Sequence, residues 1–103
     1  MTKQKSKGGE KLSYGDVIDV LTIKCRNSDS EKVGPITNAE VQAMLKIEKD
    51  IDVSDQTIRN KGLRKHGYFE KRWPEICSFV NFGDTRMRGM IIKKEKWLDE
   101  VAE

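Results

Sequence analysis

Apolar residues in the first part of the chain recur at the three- and four-residue intervals of a helix face. Ser13 opens a Ser-Tyr-Gly-Asp sequence of the capping-box type, directly before such a stripe. We therefore predict a first helix from Tyr14 to Arg26. The polar segment from Asn27 to Pro35 ends in Gly34-Pro35, which predicts a loop.

Two further helix starts follow within a short distance of each other. Thr37-Asn38-Ala39-Glu40 has the pattern of a full capping box and predicts a second helix from Asn38 to about Ile47. Ser54 is a favourable N-cap residue and predicts a third helix from Asp55 to about His66. Gly67 follows where a C-cap glycine is expected.

The hydrophobic period then changes from that of a helix to that of a strand. Ile76 to Phe82 alternates as a strand does, Gly83-Asp84 predicts a turn, and Met87 to Ile92 predicts a returning strand. Trp97, Leu98 and Val101 indicate a short last helix. The predicted fold class is α+β, with the element order α-α-α-β-β-α.

Length and composition indicate one small domain. A chain of 103 residues that is 36% hydrophobic can bury one modest core. Residues 1–11 contain no apolar residue after Met1, which predicts a disordered basic arm before a domain at residues 12–103. No apolar run approaches a membrane span and no secretory signal is present, so we expect a cytoplasmic protein without membrane association.

Charge is segregated along the chain although the net charge is only +3. Residues 27–55 carry seven acidic residues and three lysines, whereas residues 56–73 carry six basic residues and one glutamate. Such a step favours a two-sided domain with one basic face. Ordinary clustering of surface charge is the alternative explanation.

Cysteine and histidine content argues against a metal centre or a catalytic site. Cys25 and Cys77 are far apart in the sequence and His66 is the single histidine, so zinc ligands are not clustered. We expect both thiols to be reduced and buried. No nucleophile and base can be paired on this pattern, so we expect no enzyme activity, no metal and no small-molecule cofactor.

Two short helices followed by glycine, aromatic residues and a hairpin resemble the winged helix-turn-helix family. The resemblance rests on Ile36 to Val41, on Val53 to Asn60, and on Leu63 with His66-Gly67-Tyr68-Phe69. It covers roughly residues 36 to 93. It implies a winged helix-turn-helix fold that binds double-stranded DNA as a homodimer, with the third helix in the major groove.

The third helix carries side chains of the types that read DNA. If Ile58 points inward, the outer face of the helix carries amide side chains, which can hydrogen-bond to adenine, and an arginine, which can hydrogen-bond to guanine. Small hydroxyl side chains and a lysine on the same helix are typical phosphate contacts. The predicted DNA-binding residues of this segment are Ser54, Gln56, Thr57, Arg59, Asn60, Lys61 and Arg64. A solvated helix face with generic polar residues is the alternative.

The predicted hairpin tip from Gly83 to Arg88, which we call the wing, carries two arginines. Arg86 and Arg88 are two residues apart on a strand-like segment, so their side chains are expected on one face. We expect both to contact the DNA backbone or a narrow minor groove. A hairpin tip whose charges contact only water is the alternative.

Aromatic residues after the third helix allow two interpretations. Tyr68, Phe69 and Trp73 flank Lys71 and Arg72 and could stack on the bases of a single strand. They could instead close the junction between helix and strand in a small core, and we favour that role. Trp97 is assigned to the core or to a dimer contact.

The functional hypothesis is a sequence-specific double-stranded DNA-binding protein. A small repressor, or a plasmid or phage partition, copy-control or replication factor, fits this description. The alternative is a protein-interaction module, such as a phage- or plasmid-encoded inhibitor, that uses the winged helix as a scaffold only. A basic side concentrated on the third helix and the wing favours DNA over the scaffold.

Overall fold

A computed structural model describes residues 12–83 and 87–102 of the chain. The predicted arm at residues 1–11 and the predicted DNA contact Arg86 lie outside the described residues. Within the described ranges the protein is α+β, with five helices and one antiparallel three-stranded sheet. The elements are α1 (Tyr14–Arg26), β1 (Lys32–Ile36), α2 (Asn38–Lys49), α3 (Asp55–Asn60), α4 (Tyr68–Arg72), β2 (Cys77–Phe82), β3 (Met87–Lys93) and α5 (Lys94–Lys96), which continues as a π-helical turn (Trp97–Val101).

Helix α1 begins and ends where the sequence predicts. The Ser13 hydroxyl accepts a hydrogen bond from the Asp16 N–H at 3.1 Å, and the Asp16 carboxylate accepts one from the Ser13 N–H at 3.3 Å. This reciprocal pair is the predicted capping box. It satisfies two backbone donors that the first turn of a helix leaves without partners.

The prediction of a loop from Asn27 to Pro35 is wrong for the second half of that segment. Residues Lys32–Ile36 form β1, which pairs antiparallel with β3 and buries Val33 and Ile36. The pairing shifts register between Val33 and Ile36. Proline is tolerated in such an edge strand, so Pro35 does not end it. The element order is therefore α-β-α-α-α-β-β-α rather than α-α-α-β-β-α.

Helix α2 extends two residues beyond the predicted end. The Thr37 hydroxyl accepts the Glu40 N–H at 3.1 Å, so the N-cap is confirmed. The reciprocal half of the predicted capping box is not formed, because the Glu40 carboxylate forms an ion pair with Lys24 of α1 instead. This ion pair joins the start of α2 to the end of α1.

Helix α3 is half the predicted length. Its N-cap Ser54 is confirmed, with the hydroxyl accepting the Thr57 N–H at 3.1 Å, but the helix ends at Asn60 instead of His66. Gly62 has a φ of 94° and His66 a φ of 64°, and neither conformation continues a right-handed helix. The predicted C-cap role of Gly67 is also wrong, because Gly67 is the extended N-cap residue of α4.

The predicted hairpin is confirmed, and it forms two thirds of the sheet. The strand order is β1-β3-β2, with Phe79 opposite Met90 and Asn81 opposite Arg88. Buried side chains from the helices and the sheet form one continuous core, which includes Ile58, Leu63 and the fully buried Trp97. No helix within the described residues is long and apolar enough to cross a membrane.

Both cysteines are buried in this core as free thiols, as predicted. Burial raises the pKa of the Cys25 thiol to about 11, against a smaller opposing effect of Lys94. Burial raises the pKa of Cys77 to about 12, and nearby Cys25 and Glu70 add to the increase. A thiol whose ionised form is so disfavoured is a poor nucleophile and metal ligand, so both residues act as small apolar core residues.

Candidate nucleic-acid interface

Two side-chain amides of α2 hold α3 at both of its ends. The Gln42 Nε2 group donates to the carbonyl oxygen of Val53, just before α3, at 2.8 Å. The Asn38 Nδ2 group donates to the carbonyl oxygen of Leu63, just after α3, at 3.2 Å. Ile58 anchors the middle of the short helix in the core. These three contacts fix α3 relative to α2 although α3 has only six residues.

The outer face of α3 carries the two predicted amide side chains. Successive helix residues are rotated by about 100°, so positions two before and two after the buried Ile58 lie opposite the core. Gln56 and Asn60 occupy these positions and both are exposed. The Gln56 Nε2 group donates to Asn60 Oδ1 at 3.2 Å, which aligns the two amides side by side. Arg59 is also exposed, on the flank nearer the hairpin.

Strand pairing places Arg88 toward α3. Side chains alternate between the two faces of a strand, so Arg88 shares a face with the buried Met90 two residues on. Its Nε group donates to Oδ1 of Asn81, the residue paired with it on β2, at 3.2 Å. This bond orients the guanidinium. Arg88 is exposed beyond the end of the core.

Basic residues from three segments line one groove, which we call the basic groove. Its cations are Arg59 of α3, Arg64 and Lys65 of the following turn, and Arg88 of β3. The groove has a volume of about 330 Å³, and its other lining residues are Thr37, Asn38, Ala39, Asp55, Leu63, Phe79 and Met87. Among the residues that the structure describes, four cations against one carboxylate make the groove electropositive. The N-terminus of the α2 helix dipole adds positive potential at the same place.

Three of the predicted phosphate contacts have partners within the protein. The Ser54 hydroxyl caps α3 and lies 3.0 Å from the Thr57 hydroxyl. The Lys61 ammonium lies over the ring of Tyr14, 4.6 Å from its centroid. These residues stabilise α3 and its contact with α1, and none of the three lines the basic groove. The predicted DNA-binding residues that the structure describes thus fall into three groups. Two lie on the outer face of α3, three line the basic groove, and three cap α3 or contact α1: Gln56 and Asn60; Arg59, Arg64 and Arg88; and Ser54, Thr57 and Lys61.

The aromatic residues after α3 form a cluster with α1, which is the core role that the sequence favoured. Phe69 is fully buried, and Tyr68 and Trp73 are partly buried against the core. Tyr68 stacks on Tyr14 with ring centroids 4.1 Å apart, and Lys61 lies over the Tyr14 ring. The ring surfaces that a single-stranded base would need are therefore engaged by other side chains.

Most of the residues that line the groove were not assigned to the site from the sequence, among them one cation, Lys65, and two polar residues, Thr37 and Asn38. Lys65 was counted in the basic segment but was not assigned to the site, and Thr37 and Asn38 were read only as a helix start. The signal for Lys65 was its position next to Arg64. No sequence signal indicated Thr37 and Asn38, because their position beside the hairpin depends on how α2 packs.

The described residues 12–83 and 87–102 contain no group of three or more His, Cys, Asp or Glu side chains arranged to hold a metal ion. Comparison of the chain with protein-family models, curated proteins and solved structures finds no match in any of the three. The candidate interface is therefore interpreted from its own geometry and charge.

Proposed function

We propose that this protein binds double-stranded DNA through a winged helix-turn-helix arrangement. In this proposal α2 and α3 are the helix-turn-helix, α3 enters the major groove, and the hairpin of β2 and β3 lies along the flanking backbone or minor groove. The added strand β1 and the connection at residues 50–54, which is shorter than the sequence suggested, are compatible with such an arrangement.

The observation that carries the proposal is the convergence of Arg59, the Arg64-Lys65 pair and Arg88 on one groove. These residues come from a helix, a turn and a strand that are separate in the sequence. Clustering of like charges is unfavourable unless a partner of opposite charge is bound. The regular phosphates of a duplex supply such a charge, at about one per 1.7 Å of helix axis.

The outer face of α3 supplies chemistry for reading bases beside this phosphate-binding groove. A side-chain amide can form paired hydrogen bonds with adenine and an arginine with guanine in the major groove, which at about 12 Å wide admits a helix. Gln56, Asn60 and Arg59 lie on the exposed part of α3. Their arrangement beside the cations favours sequence-specific binding over a general affinity for polyanions. We expect a homodimer that reads paired half-sites.

Salt dependence of duplex binding tests this function. A fluorescein-labelled duplex from a random pool is titrated with the full chain at several salt concentrations, and selection from the pool then defines the preferred sequence. We expect log affinity to fall linearly with log salt, at about 0.9 per neutralised phosphate. The triple substitution Arg59→Ala, Arg64→Ala and Arg88→Ala should lower the slope by up to about three.

Arg26→Ala is the matched control. Arg26 is an exposed arginine at the end of α1 that does not line the basic groove. Its substitution should change the slope by far less than each groove arginine does. Binding that is indifferent to salt, or a triple variant that binds like the parent, would overturn the proposal.

A further inference from the structure

One carboxylate joins the turn after α3 to the hairpin. The Glu70 side chain, on α4, is 19% exposed. Its Oε1 accepts a hydrogen bond from the backbone N–H of His66 at 2.5 Å, and its Oε2 accepts one from the backbone N–H of Phe79 at 3.0 Å. Both oxygens of a single side chain are thus held by backbone donors from two different segments.

The two donors belong to the two sides of the basic groove. His66 directly follows Arg64 and Lys65, and its left-handed φ of 64° closes the turn that carries them. Phe79 is in β2, two residues before Asn81, which pairs with Arg88 and orients its guanidinium. Glu70 therefore connects the segment bearing two of the groove cations, Arg64 and Lys65, to the strand pair bearing another, Arg88. It does so without lining the groove itself.

We propose that Glu70 is a positioning residue that sets the spacing between the turn cations and Arg88, and thereby the selectivity of the protein among duplex sequences. This inference rests on the proposed function. A fixed spacing favours those duplexes whose local groove width matches it, because the width of a DNA groove depends on sequence. A loose spacing would allow the same cations to contact phosphates of any sequence, with less discrimination.

The electrostatics of Glu70 are consistent with this double attachment. Partial burial by itself raises the pKa of the carboxyl, but the Phe79 and His66 N–H groups outweigh it, with smaller contributions from the His66 side chain and Lys65. The net result is a pKa below the ordinary glutamate value. The carboxylate accepts both hydrogen bonds more strongly than the protonated acid, whose hydroxyl oxygen is a weak acceptor, so the link is strongest at neutral pH and weakens as pH falls through this lowered pKa.

A first experiment tests the link without DNA. Amide resonances of the full chain are followed by ¹H–¹⁵N NMR from neutral pH into the acid range. The His66 and Phe79 amides should shift together with one shared midpoint, below the ordinary glutamate pKa of about 4.3. The shared transition should disappear in Glu70→Gln. Amides with separate midpoints would overturn the inference.

A second experiment tests selectivity with Glu70→Gln, in which an NH₂ group replaces one acceptor oxygen. Glu75→Gln is the matched control, because it makes the same change of charge at an exposed glutamate just before β2. The measured quantity is the ratio of Kd for a random duplex to Kd for the selected duplex. We expect Glu70→Gln to lower this ratio about fivefold relative to Glu75→Gln, the equivalent of one net hydrogen bond.

The outcomes separate this inference from the proposed function. Equal ratios for the two variants, with both folded by circular dichroism and the parent binding duplex DNA, would overturn the role of Glu70 alone. A parent that binds no duplex would overturn the proposed function and the positioning role together. A reduced ratio with nearly equal affinities for the random duplex would support the inference, because a general loss of stability would lower both affinities.

Discussion

The indole of Trp97 donates a hydrogen bond from Nε1 to the Thr22 hydroxyl oxygen at 3.0 Å, inside the core. The same hydroxyl donates to the carbonyl oxygen of Ile18 at 2.7 Å. Trp97 is fully buried and Thr22 is 8% exposed, so water does not readily replace either bond. The pair attaches the π-helical turn near the end of the chain to the middle of α1.

This relationship predicts the effect of Thr22→Val, which keeps the shape of the side chain and removes its hydroxyl. The buried indole N–H would lose its acceptor, and leaving such a donor unsatisfied costs about 1–3 kcal/mol. Urea denaturation at neutral pH measures the free energy of unfolding. Thr22→Ser keeps the hydroxyl and is the control, with a smaller loss from the missing methyl group. A Thr22→Val variant as stable as the parent would show that the hydroxyl contributes no net stability.

Substitutions at Ser54 separate its cap from the DNA contact that the sequence predicted. Ser54→Ala removes the acceptor for the Thr57 N–H and should lower the free energy of unfolding by about 1 kcal/mol. Asparagine and aspartate are both good N-cap residues, so Ser54→Asn and Ser54→Asp should retain most of the stability. Thermal or urea denaturation of the three variants checks this order.

Under the proposed function, Ser54→Asn and Ser54→Asp should differ in their affinity for DNA although they have similar stability. Ser54→Asn should bind duplex DNA nearly as well as the parent, because the cap is preserved and no charge is added. Ser54→Asp should bind more weakly at low salt, because its carboxylate repels phosphates, and the difference should diminish as salt screens it. Equal binding by the asparagine and aspartate variants would place this residue away from the duplex.

Gly62 is predicted to be intolerant of a side chain. Its φ of 94° is unfavourable for residues with a Cβ, and a Cβ there would lie 2.4 Å from the Cβ of Tyr68. Gly62→Ala should therefore reduce the free energy of unfolding by more than the roughly 1–2 kcal/mol of a left-handed conformation alone. Thermal denaturation measures the loss.

Gly15→Ala is the control for Gly62→Ala. Gly15 lies in the first turn of α1, where the nearest atom to an added Cβ, the Ser13 hydroxyl oxygen, is 3.7 Å away. Alanine has the higher helix propensity, so Gly15→Ala should be neutral or stabilising by up to about 1 kcal/mol. A Gly62→Ala variant of parental stability would contradict the described turn between α3 and α4.

The starts of the first three helices and the hairpin were predictable from sequence. The hydroxyls of Ser13, Thr37 and Ser54 each accept an N–H three residues ahead, so the interaction and its pattern lie within one short segment. The alternation of apolar and polar residues that predicted β2 and β3 is similarly local. The exposed face of α3 was also correct, because it follows from helix periodicity once Ile58 is placed inward.

The sequence by itself therefore determined the helix caps, the hairpin, the buried thiols and the exposed face of α3. Only the tertiary structure decided that Lys32–Ile36 is a strand, because its hydrogen-bond partners are supplied by β3, far along the chain. It also decided that α3 ends at Asn60, because the chain turns back at Gly62 to pack Tyr68 closely against it. The basic groove was also decided only by the tertiary structure. Charges in separate segments act together only when packing and hydrogen bonds, here those of Asn38, Gln42 and Glu70, hold their segments side by side.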